Sequence, residues 1–380
     1  MKSPLYILLF LAALGCRRPG GSDGINFMCA QTGAKDIRNV HFKLDSVLLD
    51  SMSSSYVGES CIQNNNIYFI DEKFCYTYKF DLNGKLLHQF VGQGMGANQL
   101  PIKTILLFSP LKAGGFVFIG ASWDVFVYDS NFKRVDDYGI NWHNKVTKEA
   151  MLKKPDPSQG QLYSVIAMHG EIRSAGQEIF LPIASQHPTF NPTNPAYFKE
   201  GRNMALMDLE NGYIEKIYGG FPPVYSQNPG ARTFPYHYLA LSADNTFEMA
   251  YPPDSLIYKS DRDLNMLKRF GFAGRDMDTN YHSVADIEKF RENYIQTAAT
   301  KGYYTGLEYI PEGDLTFRTY QKGGHEESDG LQIYKADTLI ADLDVPKGLR
   351  VDGYSAPWFY SNAFVDEDKG EIKLYKFRID

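Results

Sequence analysis

The chain has 380 residues, with 39 lysines and arginines against 45 aspartates and glutamates, a net charge of −6. Mild acidity with no basic cluster argues against a nucleic-acid partner. The 26 tyrosines, 25 phenylalanines, 33 glycines and 19 prolines describe aromatic-faced strands punctuated by turns, an all-β chain in which one large domain or two smaller ones would fit.

The first element is a leader. Lys2 precedes an apolar run over Leu5 to Leu14, too short for a permanent membrane helix, which closes in Ala13-Leu14-Gly15-Cys16. A small residue before a cysteine at this point predicts a lipoprotein signal peptide over 1–15, with Cys16 as lipid acceptor. Ala13 and Leu14 reverse the usual large-then-small order, so an ordinary secretory signal is the alternative. Residues 16–36, opening Arg17-Arg18-Pro19-Gly20-Gly21, read as a flexible tether, and 37–380 as a single domain. Several acyl chains on Cys16 would hold the protein to a membrane through its N-terminus.

A recurrent phrase follows: a strand ending in an aromatic or apolar residue, a polar turn, then a second strand. It reads Tyr78-Lys79-Phe80-Asp81-Leu82-Asn83-Gly84, then Val127-Tyr128-Asp129-Ser130-Asn131, then Ala205-Leu206-Met207-Asp208-Leu209-Glu210-Asn211-Gly212. Looser copies are Ile257-Tyr258-Lys259-Ser260-Asp261 and Ile333-Tyr334-Lys335-Ala336-Asp337. Asp, Asn and Gly supply the left-handed or side-chain-capped positions of a tight hairpin. Repeated four-stranded antiparallel units predict a β-propeller. Unit starts fall near Glu59, Pro101, Gln161, Arg232, Tyr303 and Asp352, giving six blades, with seven blades or a split sandwich as alternatives. The early run His41 to Leu48 alternates without a hairpin partner and is expected to complete the last blade and close the ring.

Two long insertions, Gln186 to Asn203 and Phe221 to Gly230, interrupt the third unit and read as irregular loops beside the blade tops. A helix is expected from Ser283, capped through Asp286, with Val284, Ile287, Phe290, Tyr294 and Ile295 on one face. Asp276-Met277-Asp278-Thr279-Asn280 imitates a calcium loop, but Tyr281 stands where the turn needs glycine and Ile287 where the closing Glu belongs. Cys61 and Cys75 flank a hairpin and are either a cross-strand pair or buried thiols. No metal site or cofactor fingerprint emerges.

Side chains on innermost strands line the axis of a propeller. On that ground Arg232, Tyr236 and His237 in unit four, Tyr303 and Tyr304 in unit five, and Tyr354, Trp358 and Tyr360 in the last unit are the ligand-binding candidates. They would form an aromatic mouth for a sugar ring or an extended peptide. The competing reading is that these rings only fill the channel. Glu59, Asp244, Glu308 and Asp352 are the carboxylates that an acid–base reaction would recruit, though sequence spacing does not bring them together.

The motif Phe90-Val91-Gly92-Gln93-Gly94-Met95-Gly96-Ala97-Asn98-Gln99-Leu100 resembles the glycine-rich exit from the first blade of six-bladed, TolB-like propeller lipoproteins of Bacteroidetes. Tyr251-Pro252-Pro253-Asp254-Ser255-Leu256-Ile257-Tyr258 is similar to their mid-chain strand pair. The resemblance implies fold and envelope location, and no chemistry. In that group surface export goes with an acidic run after the lipidated cysteine. Here the run is basic, which favours the periplasmic face of the outer membrane. The expected function is a non-catalytic binding or scaffold protein for a peptide, glycan or envelope protein. The alternative is a hydrolase or lyase on an envelope or dietary polymer, with His237 or Tyr236 as base and Arg232 holding an acidic group.

Overall fold

A computed structural model describes residues 25–379, apart from 39, 41, 144–145, 168–170, 243, 284–285 and 325. The predicted signal peptide, Cys16 and His41 lie outside the described residues. The chain forms six antiparallel sheets arranged as blades around one axis, and their order in space follows their order in sequence. The innermost strands are Gly58–Gln63, Ile105–Pro110, the pieces Tyr163–Val165 and Arg173–Ala175, Tyr238–Leu241, Tyr303–Ile310, and Val351–Ser355, for blades 1 to 6.

The five copies of the repeated phrase are the hairpins between third and fourth strands of blades 1 to 5. Their turn chemistry is local. Asp81 Oδ1 accepts the amides of Asn83 and Lys85, and Asp129 Oδ1 those of Asn131 and Lys133. Gly84 and Gly212 take the left-handed position in two of them, at φ +88° and +73°. In the copies at Val127 and Ile257, Phe132 and Leu264 take it instead, at φ +57° and +60°. That backbone costs about 1–2 kcal/mol for a residue with a Cβ. Burial offsets it: Phe132 stacks on Phe90 at 4.1 Å, and Leu264 is buried in the core.

Blade 6 has no copy of the phrase because its outermost strand comes from the other end of the chain. Asp45–Leu48 pairs antiparallel with Glu371–Phe377, so the ring closes as the sequence predicts. Ala34–Lys35 adds a parallel edge to blade 5, which the sequence did not signal. Second strands such as Asn66–Asp71 and Phe116–Gly120 are buried on both faces, because each blade packs between two others, and their alternation is correspondingly weak.

Two expectations are corrected, and the open choice for the cysteines is decided in favour of thiols. The insertions are packed rather than open: Phe190, Tyr197, Phe198, Phe221 and Tyr225 form one buried ring cluster, built around the short helices Tyr197–Glu200 and Val224–Gln227. The helix starts at Phe290, not Ser283, since Asp286 caps a turn at Glu288. Its packed side is Tyr294 and Thr297, while Ile287 and Ile295 are exposed; Val284 lies outside the described residues. Gln321 Nε2 caps its C-terminal end by donating to the carbonyls of Ala298 and Lys301. Cys61 and Cys75 are buried free thiols, and Cys29 is also free.

Candidate functional site: the axial channel

The inner strands enclose a channel of about 740 Å³. Glu59, Arg173, Glu308 and Asp352 on the inner strands line it, and Glu72, Glu171, Glu312 and Arg350 join them from strand ends. Six carboxyl groups, with Glu312 the exposed one, therefore meet two guanidinium groups around one space.

The wall from blades 3 to 5 is a closed clamp. Arg173 Nη2 lies 2.6 Å from Glu171 and 2.7 Å from Glu308, and its Nε donates to the Leu239 carbonyl at 2.9 Å. The wall from blades 6 and 1 is looser. Arg350 reaches Glu59 only at 3.4 Å, and its buried Nε donates to no described atom. Asp352 accepts the Ser60 hydroxyl at 2.8 Å.

Burial and crowding set the electrostatics. Desolvation pushes the Glu308 carboxyl up to about 7, with Arg173 opposing and Glu171 reinforcing. Desolvation likewise pushes Asp352 up to about 8, with Arg350 opposing and Glu59 and Glu171 reinforcing. Glu72 is raised by burial and by Glu59. Burial also raises the Cys61 thiol, which leaves it an unreactive lining group.

Of the eight ligand-binding candidates, Tyr303 and Tyr354 line this channel. The other six do not, for reasons of strand placement. Pro229–Thr233 is a 3-10 turn, and the inner strand of blade 4 begins only at Tyr238, so Arg232, Tyr236 and His237 precede it. Arg232 donates to the Tyr225 carbonyl and lies over the Phe198 ring. Tyr236 lines a separate apolar pocket of about 370 Å³ with His187, Phe290 and Tyr294. His237 packs on Tyr251, and burial holds its pKa at about 4, so the ring is neutral at pH 7. Tyr304 points away from the axis beneath Arg318, whose guanidinium sits 3.9 Å from its ring centre. Trp358 and Tyr360 are on the second strand of blade 6; Arg378 covers Trp358 and Tyr360 is core.

Among the four carboxylates read from the sequence, Glu59, Glu308 and Asp352 converge, whereas Asp244 pairs with Lys259 on the outer surface. Arg173, Glu171, Glu72, Arg350 and Tyr238 were not foreseen. Of these, Arg350 directly precedes the strand that carries Asp352, where a register shift between Val351 and Gly353 interrupts the period of two. Asp276 to Asn280 is a plain loop, in which Asp278 binds Lys301 at 2.7 Å. The described residues hold no group of His, Cys, Asp and Glu arranged for a metal ion. Nor does any described helix have the length and apolarity to cross a membrane.

No protein-family model matches this chain, and no curated protein does. Solved structures do. A member of the DUF4221 family from Bacteroides vulgatus superposes with a TM-score of 0.66 at 12% identity, covering 89% of this chain and 98% of that one. A protein of Bacteroides fragilis described as a candidate exported protein superposes with a TM-score of 0.51 at 13% identity, covering 92% and 99%. At such identity the likeness shows the fold alone.

Proposed function

We propose that the chain is a non-catalytic binding protein whose axial channel receives a ligand bearing an amine or guanidinium, such as a basic peptide side chain or an amino sugar. The carrying observation is the imbalance of six carboxyl groups against two guanidiniums lining the channel. An incoming cation would offset the burial that, helped by neighbouring carboxyls, raises Glu308 and Asp352. The blade 3 to 5 wall is already neutralised by Arg173. The ligand's cation therefore meets Glu59, Glu72 and Asp352, and Tyr303 and Tyr354 offer ring faces beside it. Lipidation at Cys16 and attachment at the periplasmic face of the outer membrane belong to this proposal, supported by the leader pattern. Incorporation of a clickable palmitate analogue, lost in Cys16→Ala, tests them.

Calorimetric titration with lysine- and arginine-containing tripeptides and chitobiose amine tests the channel. The expected result is binding that strengthens from pH 6 to pH 8 and falls at least tenfold in Glu59→Gln/Asp352→Asn. Failure of all probes, or binding indifferent to that double change, overturns it.

A hydrolase is the second reading, favoured by one observation. Glu308 and Asp352 titrate near neutrality, as a general acid must. Turnover of an envelope glycan abolished by Glu308→Gln would establish it; a glycan panel left intact removes it.

A further inference from the structure

A second cavity, of about 610 Å³, opens away from the axis between the connection from blade 3 to blade 4 and the connection from blade 4 to blade 5. It shares no lining residue with the axial channel. Its walls mix apolar groups, Val224, Leu256, Met277 and the Tyr281 ring among them, with polar ones such as Gln227, Asn228, Ser255 and Thr279, and its only charged lining residues are Asp254 and Arg269.

Arg269 and Tyr258 are directly opposite each other on adjacent strands of blade 4, so both side chains leave the same face of the sheet and enter this cavity. The guanidinium of Arg269 makes no hydrogen bond or ion pair with any described residue, and its Nε is sealed from solvent without an acceptor. The neighbouring Arg318 is committed elsewhere. Arg318, fully buried behind the cavity, donates to Gln332 Oε1 and to the carbonyls of Ser255 and Phe272. Asp254 does not close the gap. Its Oδ1 accepts the Leu256 amide and its Oδ2 the Tyr258 hydroxyl, and it lies beyond ion-pair distance of Arg269.

A half-buried guanidinium whose Nε–H is sealed from solvent and unpaired leaves room for something to supply the acceptor. We propose that this cavity is a binding site for a small organic anion, a carboxylate or phosphate ester with an apolar body, whose oxyanion is held by Arg269. The planar guanidinium matches either group with paired hydrogen bonds. The side chains of Thr279 and Asn228 add neutral donors at the same cavity.

Thermal-shift and calorimetric titrations with sodium benzoate, phenyl phosphate and benzyl alcohol test this on the full chain. The expected result is binding of at least one anion and not of the neutral alcohol. Arg269→Gln should weaken it at least tenfold, and Arg269→Lys by less. Preference for benzoate assigns a carboxylate ligand, and preference for phenyl phosphate assigns a phosphate. Met277→Trp, which fills the cavity from a loop, should block binding while the far-ultraviolet spectrum is unchanged. Glu59→Gln/Asp352→Asn, on the other side of blade 5, should leave it intact. No binding of either anion at millimolar concentration overturns the proposal, as does equal binding by Arg269→Gln or by Met277→Trp.

Discussion

Replacing Asp352 by asparagine isolates the charge that the channel tolerates least. Asp352 accepts the Ser60 hydroxyl, and no described cation lies within ion-pair distance of it. Its carboxyl is pushed from 3.8 to about 8, chiefly by burial. The folded chain therefore keeps a proton that the unfolded chain releases. The stability tied to that proton is complete below pH 4 and is lost as the pH rises through about 8. The full gap would be at most ~6 kcal/mol. Water in the channel screens the group, so about 2–4 kcal/mol is the expected size. Asparagine keeps the acceptor for Ser60 and cannot ionise. Urea unfolding of both proteins between pH 4.5 and pH 8 should give nearly equal stabilities at the acid end. At pH 8 the variant should be more stable by about 2–4 kcal/mol, since titrating groups away from the channel cancel in the difference. A difference that does not change with pH would refute the reasoning. The same titration would then no longer support stronger cation binding at pH 8 than at pH 6.

Arg318→Ala should cost about 3–5 kcal/mol in urea unfolding, because Ser255, Phe272 and Gln332 lose their shared donor in a dry interior; a cost under ~1 kcal/mol would mean that water replaces it. Gly330→Ala should cost about 2–4 kcal/mol, since its Cβ would fall 1.9 Å from the Tyr320 ring, which Asp342 and the Arg275 amide hold in place. Val47→Asp places a carboxylate on the closing strand, where Val47 is buried in the same cluster as Ile372 and Leu374. It should cost about 3–5 kcal/mol, and hydrogen exchange should quicken first at the amides of Glu371–Phe377.

What the sequence revealed of the fold is what is chemically local. An aspartate that caps its own hairpin, as Asp81, Asp129, Asp208 and Asp261 do, announces itself within five residues, and these four hairpins with the looser copy at Ile333 to Asp337 define five blades. Even the missing sixth is informative, because an unpaired alternating run at the N-terminus is the strand that blade 6 lacks. The site depends instead on where each inner strand begins, and a shift of one residue exchanges the channel side of a strand for its other side. In blade 4 the run from Arg232 looks extended, but Pro229 to Thr233 winds into a 3-10 turn, so Tyr238 reaches the channel and His237 does not. In blade 3 the inner strand is split, and the piece that carries Arg173 is too short for any periodicity to show.

The same contacts that hide the site from the sequence also explain which half of it is open to a ligand. A propeller ring needs polar ties across its axis, where the narrow ends of the blades leave backbone groups to satisfy. Arg173 supplies such a tie, joining blade 3 to Leu239 of blade 4 and Glu308 of blade 5. A ligand cation that took Glu308 would have to replace a guanidinium already bonded at 2.7 Å, with little gain. Across the channel, blades 6 and 1 are tied by neutral chemistry, Ser60 to Asp352 and Ser355 to Asn65, and Arg350 contributes only one contact at 3.4 Å. Carboxylates there can accept a new cation without loosening the ring. Binding at Glu59 and Asp352 is therefore compatible with a rigid frame, and truncating Arg173 should damage stability far more than it damages affinity.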